Sequence, residues 1–125
     1  MPFLGFAANG SLVAQMFNGN ARSLFGPSIS LAPSWTHIVQ TWAPVVGMRL
    51  YINNVLVPAT ASMAGSYTPT SAPMYVTLGN SLNGGSSPCH IGLVGSSTSF
   101  AGDIDEFRIY SRELTVDDIC NLYTN

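Results

Sequence analysis

Two Asn-Gly dipeptides near the N-terminus restrict the possible folds of this chain more than any other feature. Asn9-Gly10 lies between the apolar runs 3–8 and 11–17, and Asn18-Gly19 lies between 11–17 and 21–25. Asn-Gly favours positive φ at both central residues of a type I′ turn, whose twist matches that of the flanking strands. Two such turns in close succession predict a three-stranded antiparallel meander.

The same punctuation continues along the chain. Gly26-Pro27 and Pro33-Ser34 break it on either side of a short apolar piece, 29–31. Residues 35–42 alternate and are rich in aromatic and β-branched side chains, so they read as a strand. A loop at 43–47 leads to a hairpin of 48–52 with 55–57 across Asn53-Asn54, a pair tolerant of left-handed backbone. Segments 58–73 and 81–99 are rich in Gly, Ser, Thr and Pro and read as long surface loops. Between them 74–78 reads as a strand stopped by Gly79-Asn80, and 100–110 as the last strand. Near the C-terminus Thr115 suits a helix N-cap, with Asp117 and Asp118 in the first turn and Ile119 and Leu122 turned to the core. About eight or nine short strands with turn signals between them mean an all-β sandwich or barrel with one short C-terminal helix.

At 125 residues the chain has the length of one domain. Only 8% of its residues are charged, and it has four arginines and no lysine. Its solubility must rest on Ser, Thr, Asn and Gly, a composition more common in secreted β-proteins than in cytosolic enzymes. With so few cations no basic patch can form, which argues against nucleic acid as a partner. No apolar run approaches the length that inserts across a bilayer. The first residues, Met1-Pro2-Phe3-Leu4-Gly5-Phe6, lack the basic and long apolar regions of a signal peptide. The expectation is a mature chain or an excerpt of a longer polypeptide, located outside the cell or at its surface. Cys89 and Cys120 allow one intrachain disulfide, closing a loop of about 30 residues that is worth roughly 3 kcal/mol on the chain-entropy argument.

Four segments in this order resemble the laminin-G-like, concanavalin A-type jelly-roll family. They are Trp35-Thr36-His37-Ile38-Val39, Arg49-Leu50-Tyr51-Ile52-Asn53-Asn54, Thr77-Leu78-Gly79-Asn80, and the stretch from Phe100 through Asp103-Ile104-Asp105-Glu106 to Thr115. The resemblance covers 35–123, and the Asn-Gly hairpins fit the strands that precede it in the family. It implies a two-sheet antiparallel jelly-roll sandwich and extracellular recognition or adhesion, of glycans or of matrix proteins. The family's first few strands have no counterpart here, so 1–125 is expected to be a single jelly-roll domain that is incomplete at its N-terminus. Calcium is the cofactor that the resemblance brings into view, with Asp103 and Asn80 as oxygen ligands; no dense carboxylate loop accompanies them.

Several constellations bear on chemistry. Glucanases of this fold carry strand carboxylates at i, i+2 and i+4 on one face, as nucleophile, helper and acid/base. Here those positions are Asp103, Asp105 and Phe107, so the acid/base is missing and a retaining pair cannot be built. The expectation is a protein that is not an enzyme. Asp105 is expected partly buried, a fold-locking carboxylate that takes donors from Arg108, Arg49 or loop amides. His37 reads as a structural histidine, and His37 with His90 makes no zinc site. Trp35 and Trp42 have opposite parity, so one belongs to the core and the other either covers a loop or offers a platform for a sugar ring. Trp42, Tyr67 and Asn80 form the candidate ligand-binding set, and Asn9-Gly10-Ser11 is a glycosylation sequon.

The leading functional reading is a recognition module that binds glycan or extracellular protein through the loops 58–73 and 81–99. The alternative is a structural subunit: a jelly roll short of strands exposes sheet edges, and exposed edges recruit strands from other chains into oligomers or filaments.

Overall fold

The computed structural model describes residues 3–18, 20–29, 34–58, 65, 76–79, 94 and 99–125. Among them are strands β1 (Leu4–Phe6), β2 (Ser11–Asn18), β3 (Asn20–Ser28), β4 (Ile38–Ala43), β5 (Gly47–Ile52) and β6 (Val55–Leu56), followed by helix α1 (Val116–Thr124). The strands form two three-stranded antiparallel sheets, ordered β1-β2-β3 and β4-β5-β6. The all-β sandwich with a short C-terminal helix is therefore what the chain builds.

The N-terminal meander forms as its punctuation predicts, but its first turn differs from expectation. Gly10 alone takes positive φ, at 82°, while Asn9 stays on the ordinary side. The Gly10 N–H donates to Ala7 O and the Ala7 N–H to Ser11 O, each at 2.9 Å. The loop thus has three residues and ends on a left-handed glycine, in place of the two-residue type I′ turn. The physical reason is local: Asn9 Oδ1 accepts the Ser11 N–H at 3.1 Å, which holds Asn9 out of the left-handed region. The second Asn-Gly turn falls on Gly19, outside the described residues. Strand β3 also runs past the expected break at Gly26-Pro27. The register pairs Ser11 with Ser28 but Val13 with Phe25, so Leu12 faces both Gly26 and Pro27. A β-bulge tolerates a proline that cannot donate to the ladder.

In the second sheet Asn53 and Asn54 take φ of 49° and 64°, both in the left-handed region. Ile52 pairs with Val55 across them, so this turn, rather than Asn9-Gly10, carries the type I′ signature. Strand β4 starts only at Ile38 rather than at Trp35. The preceding residue is held sideways instead: His37 N–H donates to Asn53 Oδ1, and Asn53 N–H to His37 O, both at 2.9 Å.

The two sheets meet over one core. Leu12, Ala14 and Leu24 from the first pack with Met48 and Leu50 from the second, and Phe6, Met16, Ile38, Trp42 and Ile52 close around them. Gln40 crosses the layers, donating from Nε2 to Gln15 O at 3.2 Å. The opposite face of β2 is covered as well, since Val13 and Gln15 are fully buried. Buried Gln15 keeps a partner there, accepting the Ser23 hydroxyl on Oε1 at 3.0 Å.

The expected last strand is a correction. Residues 100–110 carry no ladder with any described residue and are exposed throughout. Glu106 has φ 52°, a left-handed residue in mid-segment that no continuous strand accommodates. Among the described contacts Phe100 ties the segment to the sandwich by stacking on Phe6 with centroids 6.1 Å apart, and its N–H donates to Gly79 O at 2.6 Å. Of the strand expected at 74–78, residues 76–78 show none and 74–75 lie outside the described residues.

Leu50 is fully buried at the centre of the core. Leu50→Ala is expected to cost about 2–5 kcal/mol, against under about 0.5 kcal/mol for Val45→Ser in the exposed β4-β5 hairpin. Urea unfolding followed by circular dichroism measures both.

Candidate functional site

Strand parity decides what each end of the second sheet offers. Ile38, Gln40 and Trp42 share the inner face with Met48, Leu50 and Ile52, their cross-strand partners in reverse order. Val39 and Thr41, paired with Tyr51 and Arg49, form the outer face. Glu113 closes on that outer face: the Thr41 hydroxyl donates to its Oε1 at 3.5 Å, and Arg49 lies 3.9 Å from the same oxygen. Thr41 and Tyr51 are buried as a result.

Helix α1 completes this wall. Thr115 Oγ1 accepts the Asp118 N–H at 3.1 Å, and Asp118 Oδ2 accepts the Thr115 N–H at 2.8 Å, a reciprocal capping box. Arg112 donates to both oxygens of the Asp118 carboxylate, at 2.7 and 3.1 Å. The Arg112 hydrogen bonds, aided by those from Thr115, hold the Asp118 pKa well below the ordinary carboxylate range. Ile119 is fully buried, and Tyr123 stands one turn further along the same side. The Tyr123 ring tilts against His37 at a centroid distance of 5.7 Å.

A composite rim results at one end of the sheet. His37 is pinned by Asn53 and flanked by Tyr123, and Trp35 stands two residues upstream with 69% of its surface exposed. His37 Nδ1 and Asn54 Oδ1 are buried there without a partner among the described residues. Sequence reasoning separated the two tryptophans by parity but chose Trp42 for the ligand. Trp42 lies half-buried on the inner face against the core, and Trp35 is the exposed one. The usable signal was that Trp42 shares parity with Ile38 and meets the apolar Met48-Leu50-Ile52 series.

The other expected site residues do not converge. Tyr67, Asn80 and Cys89 lie outside the described residues, as does His90. Cys120 is half-buried on α1 and bonded to no described cysteine. Asn9 is exposed at its turn. Asp103 is exposed, and among the described residues no three His, Cys, Asp or Glu side chains gather into a metal site. Calcium takes about six to eight oxygens, and Asp103 is the one expected ligand that falls within the described residues. Asp105 departs from its expected buried role. It is exposed and, among the described residues, accepts the neighbouring Glu106 N–H at 2.8 Å, while Arg108 pairs with Glu106 and Arg49 with Glu113. Water solvates a carboxylate on an open segment, so no buried donor is needed.

The laminin G family model described as the concanavalin A-like lectin/glucanases superfamily matches residues 2–120. The chain belongs to this superfamily. The match reaches back over the N-terminal meander, well before Trp35. A search of the solved structures finds the crystal structure of an S-layer domain-containing protein (residues 221–444) from Clostridium thermocellum, at 23% identity and a TM-score of 0.53. The alignment covers 91% of this chain and 51% of that one, so the chain spans about half the length of its structural neighbour. A likeness at that identity speaks for the fold. Among the curated proteins none matches.

The Arg112 and Thr115 bonds to Asp118 are expected to make the stability of this superfamily member pH-dependent. Because the Asp118 pKa is lowered on folding, its contribution is full above the unfolded carboxylate value of about 4 and is lost as pH falls below it. Asp118→Asn should therefore destabilise the protein at pH 7, and the difference from the wild type should shrink below about pH 4. Thr115→Ala should cost about 1 kcal/mol at neutral pH. Urea midpoints measured across pH 3–7 test all three expectations.

Proposed function

We propose that this chain is a non-catalytic recognition module that binds carbohydrate outside the cell or at its surface. The observation that carries this reading is the exposed Trp35 on a rim built by His37, Asn53 and Tyr123, in a superfamily that includes lectins. The polar, weakly charged composition supports an extracellular setting. No helix among the described residues is long and apolar enough to cross a membrane. The carboxylate stretch supports the non-catalytic half of the reading. Phe107 stands where a glucanase-type strand needs its acid/base, and Glu106 is tied to Arg108. The disulfide between Cys89 and Cys120 and a glycan on Asn9 remain parts of the same extracellular proposal. Glycan microarrays probed with the pure chain should give saturable binding. Asp105→Asn should leave that binding unchanged, and no reducing ends should be released from a bound polysaccharide. Turnover abolished by Asp105→Asn would refute the reading.

A second reading has its own observation. Phe100, Ile104, Phe107, Ile109 and Tyr110 are all exposed on a segment without a ladder partner among the described residues. With no lysine in the chain, the usual edge gatekeepers are scarce. Burying about 400 Å² of such surface against a second copy is worth on the order of 10 kcal/mol before association costs. That the structural neighbour is a part of an S-layer domain-containing protein is in keeping with this reading. Light scattering at micromolar concentration decides it: a dimer or larger species is expected, and a stable monomer removes this reading.

A further inference from the structure

We infer that Trp35 is the stacking platform for a pyranose ring of a neutral glycan, with Asn53 and Tyr123 as its flanking polar groups. The inference rests on the carbohydrate-binding reading above and assigns it a site and a ligand class. Trp35 is the most exposed of the large aromatic side chains in the described part of the protein, at 69%. Indole left in water forgoes a large apolar burial, and a sugar offers its C–H face to an aromatic surface without removing the sugar hydroxyls from hydrogen-bonding partners.

Three features distinguish this tryptophan from a loosely exposed one. Its backbone is held two residues downstream, where His37 exchanges both an N–H and a carbonyl with Asn53 at 2.9 Å. Asn53 itself sits in a two-residue turn at φ 49°, and a segment tied to such a turn has less entropy to lose on binding than a free loop. With Oδ1 committed to His37, Asn53 Nδ2 remains a donor for a hydroxyl, and the half-exposed Tyr123 phenol adds a donor and an acceptor. Apart from His37, whose ring packs against Tyr123, the rim side chains Trp35, Asn53, Asn54 and Tyr123 are uncharged, and none of them is an arginine. Recognition of sulfate or carboxylate normally recruits arginine or lysine, so the chemistry selects neutral hexoses over sulfated or sialylated glycans.

The test uses the whole chain with three neutral polymers (a β-glucan, a mannan and a galactan) and one sulfated galactan, in affinity electrophoresis. Acrylamide quenching of tryptophan fluorescence is the second readout. At least one neutral polymer should retard the wild type and shield part of its fluorescence from acrylamide. Trp35→Ala should lose about tenfold or more in affinity together with the shielding, while Val45→Ser at the far hairpin keeps both. Circular dichroism should show both variants folded, since each replaced side chain is mostly exposed. If Trp35→Ala binds a neutral polymer as tightly as the wild type, the platform lies elsewhere although the carbohydrate reading stands. Preference for the sulfated polymer overturns the neutral assignment. Failure of the wild type to bind any of the four, with no glycan bound on the microarray, overturns both.

Discussion

The sandwich depends on how closely its two sheets can approach at Gly26. A Cβ on that residue would lie 3.0 Å from Leu50 Cδ2, 3.3 Å from Ile52 Cδ1 and 3.5 Å from the Leu12 Cβ. Glycine therefore leaves the space that the Leu50 and Ile52 side chains fill, directly opposite the β3 bulge. A side chain there would require the Leu50 and Ile52 tips to give by a few tenths of an ångström, so glycine is what lets them pack at this distance. Gly5 repeats the device at the edge, where a Cβ would meet Val94 Cγ1 at 2.9 Å.

Once the inner faces are joined, the outer face of the second sheet still has to be covered. The C-terminal segment does this with very few charges. Glu113 serves Thr41 and Arg49, and Arg112 with Thr115 locks Asp118 at the start of α1. The exposed pairs add little energy individually. Their value lies in direction, because they fix the line along which Ile119 is buried and Tyr123 reaches His37.

The rim is thus a by-product of two separate constraints. A type I′ turn places Asn53 beside His37, and a capped helix delivers Tyr123 to the same ring. Neither element is a binding motif alone. Together they leave Trp35 outside the sandwich while Trp42, at the opposite parity, is drawn against the core.

Local chemistry was legible in the residues themselves. The strands at 11–17 and 48–52, the left-handed tolerance of Asn53-Asn54 and the Thr115 N-cap each depend on neighbours a few positions away, and each formed as read. The family's segments belong with them, since they record such local patterns in a fixed order. Decisions between distant parts were not legible. Parity showed that Trp35 and Trp42 oppose each other, but only the partner sheet determined which one faces it. The pattern of 100–110 suits a strand, yet a strand needs a ladder partner, and the left-handed Glu106 interrupts it. Asp105 looked buried because a strand was assumed beneath it. Sequence determines what a segment can do with its near neighbours; packing decides which face it turns inward, because burial is a property of the far side of the contact.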